Sequence, residues 1–184
     1  RALSLSLDFE NRDFELLQLS GAWGRERDII RRPLKQGITK IDSKRGGSSH
    51  QQNPFIALVE EETDEDRGEA YGFSLVYSAN FLAQAERNHY GKTRVTMGIN
   101  PFTFNWLLES GASFQTPEVV MNYSDQGLNK MSQNFHQLYR NRLARGKYRD
   151  QERPVLINNW EGTYFDFDTD KILEMAAAAA DVDL

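Results

Sequence analysis

The stretch Leu-Ser-Leu-Ser-Leu-Asp-Phe at residues 3–9 alternates apolar and polar side chains with a period of two. That period predicts a β-strand with one buried face and one face in water. Further apolar runs of strand length lie at residues 14–19, 37–41, 54–59, 71–77, 95–99 and 117–123. Short strands of this kind, separated by turn residues, are typical of an antiparallel β-sandwich, which we predict for residues 1–122.

The segments that connect these runs are predicted to be turns, loops and one further strand region. Residues 70–99 are expected to form one long hairpin that turns at residues 88–91, where Gly91 can supply a positive φ. Residues 106–114 are expected to continue the strand pattern. The charged residues 25–32 are expected to form a loop. The acidic residues 60–66 are interpreted as a solvated hairpin tip, because they lack the ligand spacing and central glycine of a calcium loop.

The pattern changes from a period of two to a helical period after Ser124 and Asp125, which are both good N-caps. Apolar residues recur at intervals of three and four from Leu128 to Leu143, so we predict an amphipathic helix at about residues 125–145 that ends at Gly146. We interpret it as a linker helix within residues 123–150.

The last part of the sequence, residues 151–184, is predicted to be one β-loop-α unit. An unbroken apolar run, Val-Leu-Ile at residues 155–157, suits a buried parallel strand near residues 155–158, and a helix is expected from Thr169. A single such unit cannot close a sheet or a barrel. Together with a first residue that is not Met, this leads us to expect an internal fragment of a longer protein.

The composition is that of an ordinary globular protein, and it excludes several classes of function. The 184 residues are 39% hydrophobic and 27% charged, with a formal net charge of −5. This acidic balance argues against nucleic-acid or membrane-surface partners. The absence of cysteine excludes disulfides and thiolate metal sites. No apolar stretch reaches the length of about 20 residues that a membrane helix needs.

Several short motifs are too weak to indicate a function. Residues 88–93 resemble the end of a phosphate-binding loop, but Glu86 stands where that motif needs its first glycine. His50, His89 and His136 are far apart in sequence and lack the spacing of metal ligands, so we expect no shared metal site. Residues 122–124 match a glycosylation sequon by pattern only.

The residues that follow the run at 155–157 are the best candidates for a site. In β/α barrels the active site lies at the carboxyl ends of the strands. For Trp160, packing against a barrel wall is an equally open interpretation. For Glu161, an ion pair beside the helix is the favoured one. The candidates by position are Asn158, Asn159, Trp160 and Glu161, followed by Asp166 and Asp168.

Five longer segments occur in the same order as in a known family. They are Leu-Ser-Gly-Ala-Trp-Gly-Arg-Glu-Arg at 19–27, Arg-Gly-Gly-Ser-Ser-His-Gln at 45–51, Tyr-Gly-Phe-Ser-Leu-Val-Tyr-Ser-Ala-Asn-Phe at 71–81, Tyr-Ser-Asp-Gln-Gly-Leu-Asn at 123–129, and Arg-Pro-Val-Leu-Ile-Asn-Asn-Trp-Glu-Gly-Thr-Tyr-Phe-Asp-Phe at 153–167. Together they resemble the α-galactosidases of glycoside hydrolase family 36. The resemblance implies the end of an N-terminal β-sandwich (supersandwich) domain, a linker helix and the first strand and helix of a catalytic (β/α)8 barrel, truncated here.

The resemblance also implies an activity and two site residues. The parent enzyme would be a retaining hydrolase that releases terminal α-D-galactose from oligosaccharides such as melibiose and raffinose. Trp160 matches a tryptophan that lines the galactose pocket, and Trp23 matches one that reaches the substrate, across a subunit contact. An indole suits this role because it offers a flat apolar surface to the C–H face of galactose.

Other expectations concern what the chain lacks. In the family, both catalytic residues are aspartates on later barrel strands, so none is expected here and the fragment alone should be inactive. Lys40-Ile41-Asp42 matches the Lys-x-Asp spelling of the family nucleophile, and we treat this as chance. The resemblance further implies a homo-oligomer (a tetramer). We also expect no cofactor or metal, and a cytoplasmic location, which the absence of cysteine suits. The alternative is a non-catalytic carbohydrate-binding or oligomerisation module.

Overall fold

The computed structural model describes residues 3–182 and forms two compact units, residues 1–138 and residues 139–184. The first unit is a β-sandwich with one helix. Its strands are β1 (Leu3–Phe9), β2 (Glu15–Ala22), β3 (Arg25–Pro33), β4 (Gly37–Asp42), β5 (Gln52–Val59), β6 (Ala70–Val76), β7 (Phe81–Arg87), β8 (Thr93–Ile99) and β9 (Glu118–Ser124), and its helix is α1 (Gly127–Leu138).

The strands form two antiparallel sheets. One sheet has the order β1-β8-β7-β4, and the other has the order β3-β2-β5-β6-β9. The predicted antiparallel sandwich is therefore confirmed, with its last strand ending at Ser124 rather than near residue 122. Hairpins at β2–β3, β5–β6 and β7–β8 join neighbours within a sheet, and the acidic residues 60–66 lie in the loop between the paired strands β5 and β6, as predicted.

The core lies between the two sheets and is built from the apolar positions that alternate along their strands. Such burial of apolar surface is the main source of stability in a sandwich. The buried cluster consists of Phe14, Leu16, Leu34, Ile41, Ile56, Leu58, Phe73, Leu75, Phe81, Ala83, Ala85, Val95 and Met97.

Helix α1 packs against the face of β6 that points away from this core. The ring of Phe135 meets that of Phe55 edge-on, with centroids 5.8 Å apart. Gly72 allows this approach, because a Cβ atom there would stand 2.6 Å from Phe135 Cε2 and 2.8 Å from Met131 Sδ. Position 72 therefore has to be glycine for α1 to lie this close to the sheet.

The prediction of a loop at residues 25–32 was wrong, because these residues form the edge strand β3. Residues Trp23 and Gly24 make a two-residue turn between Ala22 and Arg25, with Gly24 at a φ of 74°. The charged side chains of β3 led to the misassignment. An edge strand accepts them readily, since one side of it faces water and charges there discourage pairing with other chains.

The long hairpin predicted for residues 70–99 was wrong in its first half. β7 and β8 do pair across the turn at residues 88–92, as predicted. β6, however, belongs to the other sheet, where it pairs with β5 and β9. The short connection at residues 77–80 therefore crosses between sheets. Alternation alone cannot distinguish this crossing from a hairpin, because both give the same pattern of apolar side chains.

Residues 100–117 also differ from the prediction, because no strand forms there between β8 and β9. Both sides of β8 are already paired, with β1 and with β7. The segment instead makes a loop with an aromatic cluster, in which Phe114 contacts Trp106 at a centroid distance of 4.8 Å and Phe104 at 6.2 Å.

The second unit is helical and irregular. The predicted helix at residues 125–145 is confirmed as α1 up to Leu138, but Tyr139–Leu143 continue as a wider π-helical turn in which the Ala144 N–H donates to the Tyr139 carbonyl. A short 3-10 turn follows at Lys147–Arg149, then α2 (Trp160–Thr163) and α3 (Thr169–Ala180). Helix α3 begins where the sequence predicted it.

The strand predicted near residues 155–158 is not formed in this structure. Residues 154–159 have no regular secondary structure, and Val155, Leu156 and Ile157 are exposed. A parallel strand needs neighbours for its backbone hydrogen bonds and for both of its faces. The described part of the second unit contains no other strand that could supply them.

Candidate functional site

Trp160 is the first residue of α2 and lies among exposed aromatic rings. Its indole meets the rings of Tyr164 and Phe165 edge-on, with centroids 5.6 Å and 4.8 Å apart. The side chain is 41% exposed. Both of these rings are themselves exposed, so the described contacts give the packing interpretation little support. The indole presents a flat apolar surface of the kind that a sugar face needs.

Two asparagines hold the turn that carries Trp160. The side-chain oxygen of Asn158 accepts a hydrogen bond of 2.9 Å from the Trp160 backbone N–H. The Asn159 amide donates to the Thr163 hydroxyl at 2.9 Å, and this hydroxyl donates to the Asn159 carbonyl at 3.1 Å. These side-chain bonds replace the caps that such a short helix otherwise lacks. Asn158 and Asn159 therefore position Trp160 in this structure.

The acidic residues near Trp160 divide into one unpartnered carboxylate and two structural ones. Among residues 3–182, Glu161 forms no described ion pair or hydrogen bond, so the expected ion pair beside the helix was wrong. Asp168 is the N-cap of α3 and accepts from the Lys171 backbone N–H at 2.9 Å. Asp166 accepts from Lys171 Nζ at 2.8 Å, and this hydrogen bond lowers the pKa of Asp166. Both aspartates therefore contribute to the local structure around the start of α3.

Trp23 lies at the tip of the β2–β3 hairpin and is 83% exposed. The turn is held by the Gly24 N–H, which donates to Glu26 Oε1 at 2.9 Å and lowers the pKa of that carboxyl. An indole this exposed does not stabilise the sandwich by packing. The geometry offers it to a molecule outside the first unit, which fits a binding role.

A polar network beside this hairpin was not anticipated from the sequence. Gln18 is only 2% exposed, and its amide nitrogen donates to Ser20 Oγ at 2.7 Å and to Gln52 Oε1 at 3.2 Å. Ser20 Oγ donates to the same Gln52 oxygen at 3.1 Å, and Arg32 donates to the Gln18 side-chain oxygen. Its one sign in the sequence was Gln18, a polar residue two positions after Leu16 and therefore on the same buried face of β2.

This network forms one wall of an open cleft of about 530 Å³. The cleft lies along β2 and β3 and is lined by Gln18, Ser20, Gly21, Ala22, Arg25, Asp28, Ile30, Arg32, Gln51 and Gln52. Hydrogen-bonding groups at a concave surface with some apolar floor are the usual makeup of small-molecule sites.

The Lys-x-Asp match at residues 40–42 and the sequon at residues 122–124 both have structural roles. Asp42 lies 3.6 Å from Lys44 Nζ and 3.8 Å from Lys40 Nζ, and it accepts a hydrogen bond of 3.3 Å from Asn100. It therefore belongs to a surface ion cluster at the end of β4. The Asn122 amide donates to the Met131 carbonyl, so the sequon asparagine is engaged in holding α1.

Residues 3–182 contain neither a metal-binding cluster nor a membrane-spanning helix. No group of three or more histidine, aspartate or glutamate side chains in this part of the chain lies close enough to hold a metal ion. Likewise, no helix within it has the length and apolar character needed to cross a membrane.

Comparison with known families matches both units of the chain. Residues 1–109 match the glycosyl hydrolase family 36 N-terminal domain, and residues 113–184 match the melibiase family. The two matches follow each other along the sequence in the order expected from the resemblance.

Individual relatives give the same result. The chain is 64% identical over 182 residues to alpha-galactosidase AgaA of Geobacillus stearothermophilus, covering 99% of this chain and 25% of the relative. It is 52% identical over 172 residues to alpha-galactosidase Mel36A of Lactobacillus acidophilus, covering 94% of this chain and 24% of the relative. The chain thus spans about a quarter of the length of these relatives.

Solved structures confirm the fold. A crystal structure of AgaA superposes with a TM-score of 0.95 over 100% of this chain and 26% of that chain, at 64% identity. A variant of the same enzyme in complex with raffinose gives a TM-score of 0.93 over 98% of this chain and 25% of that chain, at 64% identity. With its first 109 residues matching the N-terminal domain and its remainder matching melibiase, the chain belongs to glycosyl hydrolase family 36.

Proposed function

We propose that the protein carrying this chain is an α-galactosidase, which releases terminal α-D-galactose from oligosaccharides such as melibiose and raffinose. The observation that carries the proposal is the 64% identity to AgaA over 99% of the chain. Structures of that relative contain raffinose and stachyose. In this assignment, residues 1–122 complete the sandwich domain, residues 123–150 form the linker helix, and residues 151–184 supply the first strand and helix of the barrel.

The chemistry would require two carboxylates that this chain does not provide. A retaining glycosidase holds a nucleophile and an acid/base about 5–5.5 Å apart on either side of the scissile bond. Asp166 and Asp168 are engaged with Lys171, and Glu161 has no described acidic partner within this part of the chain. By family resemblance, we assign both catalytic aspartates to later barrel strands.

Trp160 is assigned to the galactose pocket. It follows the run at residues 155–157, where the carboxyl end of the first barrel strand would lie, and barrel active sites are built at those ends. Its exposed indole would contact the C–H face of galactose, while Asn158 holds its backbone in place.

Trp23 is assigned to the outer part of the substrate, where the second sugar of an oligosaccharide lies. Its position at an exposed hairpin tip supports a contact made between subunits. We accordingly propose a homo-oligomer, a tetramer by family resemblance, and a cytoplasmic location, since the composition lacks cysteine.

The test is hydrolysis of a chromogenic α-galactoside by the full-length protein and by the 184-residue chain. The full-length protein should turn over, and the isolated chain should not, because it lacks both catalytic aspartates. A full-length protein without activity would contradict the proposal. Turnover by the isolated chain at a comparable rate would contradict the assignment of the carboxylates, and Asp42, Glu161, Asp166 and Asp168 would then be tested.

The Trp160 assignment is tested in the full-length enzyme. Trp160→Ala should reduce kcat/KM by about 30- to 150-fold, or about 2–3 kcal/mol, if the indole contacts the sugar in the transition state. Trp106→Ala is the matched control, since Trp106 is also an exposed tryptophan but lies in the loop after β8. Unchanged kinetics in a folded Trp160 variant would remove this residue from the site.

A further inference from the structure

We propose that the cleft between β2 and β3 is a second carbohydrate site, which binds a neutral sugar unit independently of the barrel. The cleft lies entirely within the first unit and does not include Trp23 among its lining residues. Its ligand is a pyranose of an oligosaccharide, recognised by hydroxyl hydrogen bonds and one apolar face.

Gln18 is a buried polar residue on the face of β2 that continues from the core. It lies two residues after Leu16, which belongs to the hydrophobic core, and its exposure is 2%. Burying an amide is costly unless all its groups are bonded, and here both ends of the amide are held, by Ser20, Gln52 and Arg32. An ordinary sandwich core would place an apolar side chain at this position. The network is therefore a rigid, pre-oriented polar wall, which reduces the entropy lost when a ligand binds.

Several hydrogen-bonding groups that line the cleft have no described partner within residues 3–182. Gln52 uses its side-chain oxygen for both Gln18 and Ser20, so its two N–H donors have no described partner within residues 3–182. Asp28 lies opposite Ser20 on the neighbouring strand, and in this same part of the chain neither Asp28 nor Arg25 has a described ion-pair partner. Amide donors, a carboxylate and a guanidinium together match neighbouring sugar hydroxyls, each of which both donates and accepts.

The shape and volume of the cleft also suit a sugar ring. A register shift between Ser20 and Ala22 bends β2 at Gly21, where a Cβ atom would stand 2.2 Å from the Arg25 carbonyl oxygen. Bulges of this kind redirect side chains and often lie beside functional sites. Ile30 and Ala22 add apolar surface for the C–H face of a pyranose. The volume of about 530 Å³ lies within the range of about 300–1,000 Å³ seen for small-molecule sites.

The charges favour a neutral ligand over an anion. Of the two guanidinium groups that line the cleft, that of Arg32 is already bonded to Gln18, and the remaining Arg25 faces a cleft that also contains the carboxylate of Asp28. A phosphate would be repelled by Asp28, whereas a hydroxyl can donate to it and accept from the arginine.

The experiment is a titration of the ¹⁵N-labelled 184-residue chain, followed by NMR, with galactose, melibiose, raffinose and inorganic phosphate as probes. Residues 18–32 and 51–52 should show saturable shifts with at least one of the sugars and none with phosphate. Asp28→Asn should weaken binding by about tenfold, the loss expected for one charge-assisted hydrogen bond to a ligand. Gln18→Leu should also weaken binding, because it removes the amide that holds Ser20, Gln52 and Arg32 in place. Gln84→Leu on β7, in the other sheet, is the matched control and should bind like the parent.

The outcomes separate this site from the proposed hydrolysis. If no sugar shifts these residues, if phosphate does so instead, or if shifts survive both substitutions, the proposal is overturned. If Gln18→Leu does not fold, the exposed Asp28→Asn decides the test on its own. If sedimentation shows that the chain associates, and association alone shifts the signals of residues 18–32 and 51–52 without sugar, the face is an interface and the sugar site is rejected. The isolated chain needs no activity for this test, so its failure would leave the proposed α-galactosidase activity of the full-length protein untouched.

Discussion

Two apolar runs of similar composition have opposite fates in this chain. Ile56, Ala57, Leu58 and Val59 on β5 are all 0% exposed, whereas Leu156, in the Val-Leu-Ile run of the second unit, is 84% exposed. β5 is paired on both sides, by β2 and β6, and faces the other sheet and α1. The run at residues 155–157 has no such neighbours in the described structure. The comparison shows that an apolar run forms a strand only where neighbouring elements bind its backbone by hydrogen bonds and bury its side chains.

The same contrast extends to the two units as wholes. The buried hydrophobic residues described in the structure all lie within the first unit, from Phe14 to Phe135. Helices α2 and α3 of the second unit have no buried residue. The first unit therefore has a core of its own, and we expect its stability to be much more sensitive to substitution than that of the second unit.

Truncation of one side chain in each run should give the largest difference. Ile56→Ala should destabilise the first unit by about 2–5 kcal/mol, because it removes buried surface and leaves a cavity. Leu156→Ala should change the free energy of unfolding by less than about 0.5 kcal/mol, as is usual at exposed positions. Urea unfolding of the 184-residue chain, followed by circular dichroism, measures both. Equal effects would mean that the run at residues 155–157 is buried in solution.

Addition of one methyl group gives a second, smaller contrast. Gly72→Ala should cost about 1–3 kcal/mol by overpacking, because the new Cβ would press on Phe135 and Met131. Gly162→Ala is the matched control in α2, where the nearest atom, Met175 Cε, would be 3.9 Å away. The same urea titration applies. A Gly72→Ala chain as stable as the parent would show that α1 does not hold its position on β6.

Acid should reveal a smaller electrostatic difference. Arg12 bridges Glu60 and Glu69, and Glu69 also accepts from the hydroxyls of Tyr71 at 2.8 Å and Tyr123 at 3.1 Å. The hydrogen bonds from Arg12 and Tyr71 lower the pKa of Glu69. A lowered folded-state pKa gives stability that is present above the unfolded value, about 4.3, and is lost as the pH falls through the folded value.

The prediction concerns how steeply the stability of the chain falls as the pH decreases below about 4.3. Glu69→Gln should lower stability at neutral pH and make the loss at acid pH shallower, because the glutamine cannot be protonated. Asp166→Asn is the control, since the pKa of Asp166 is also lowered but its side chain is 94% exposed, and exposed ion pairs contribute little to stability. Thermal unfolding measured from pH 7 to pH 2.5 tests both. Parallel curves for Glu69→Gln and the parent would contradict the role of this network.

Periodicity was sufficient to predict the sandwich, its strands at residues 3–9, 37–41 and 54–59, and the helix after Ser124. It failed where burial and pairing depend on distant residues. β3 looked like a loop because an edge strand tolerates charge, and the connection at residues 77–80 could not be assigned to one sheet or two. The strand near residues 155–158 was read correctly as apolar, but its formation depends on neighbours rather than on its own sequence.

The candidate site could be predicted only in part. Trp160 stood out by its position after an apolar run, and Trp23 stood out only by family resemblance. The network of Gln18, Ser20 and Gln52 was missed, because its members lie on two strands that the sequence separates by more than thirty residues. Its one sign in the local sequence was Gln18, a polar residue on the buried face of β2.

Hydrogen exchange of the isolated 184-residue chain tests the central contrast most directly. We predict strong protection of amides in the strands that are paired on both sides, β2, β5, β6, β7 and β8. Val155, Leu156 and Ile157 should exchange at the rate of an unstructured peptide. Protection of residues 155–157 equal to that of β5 in the monomeric chain would contradict it, because a strand would then form there without the neighbours that we consider necessary.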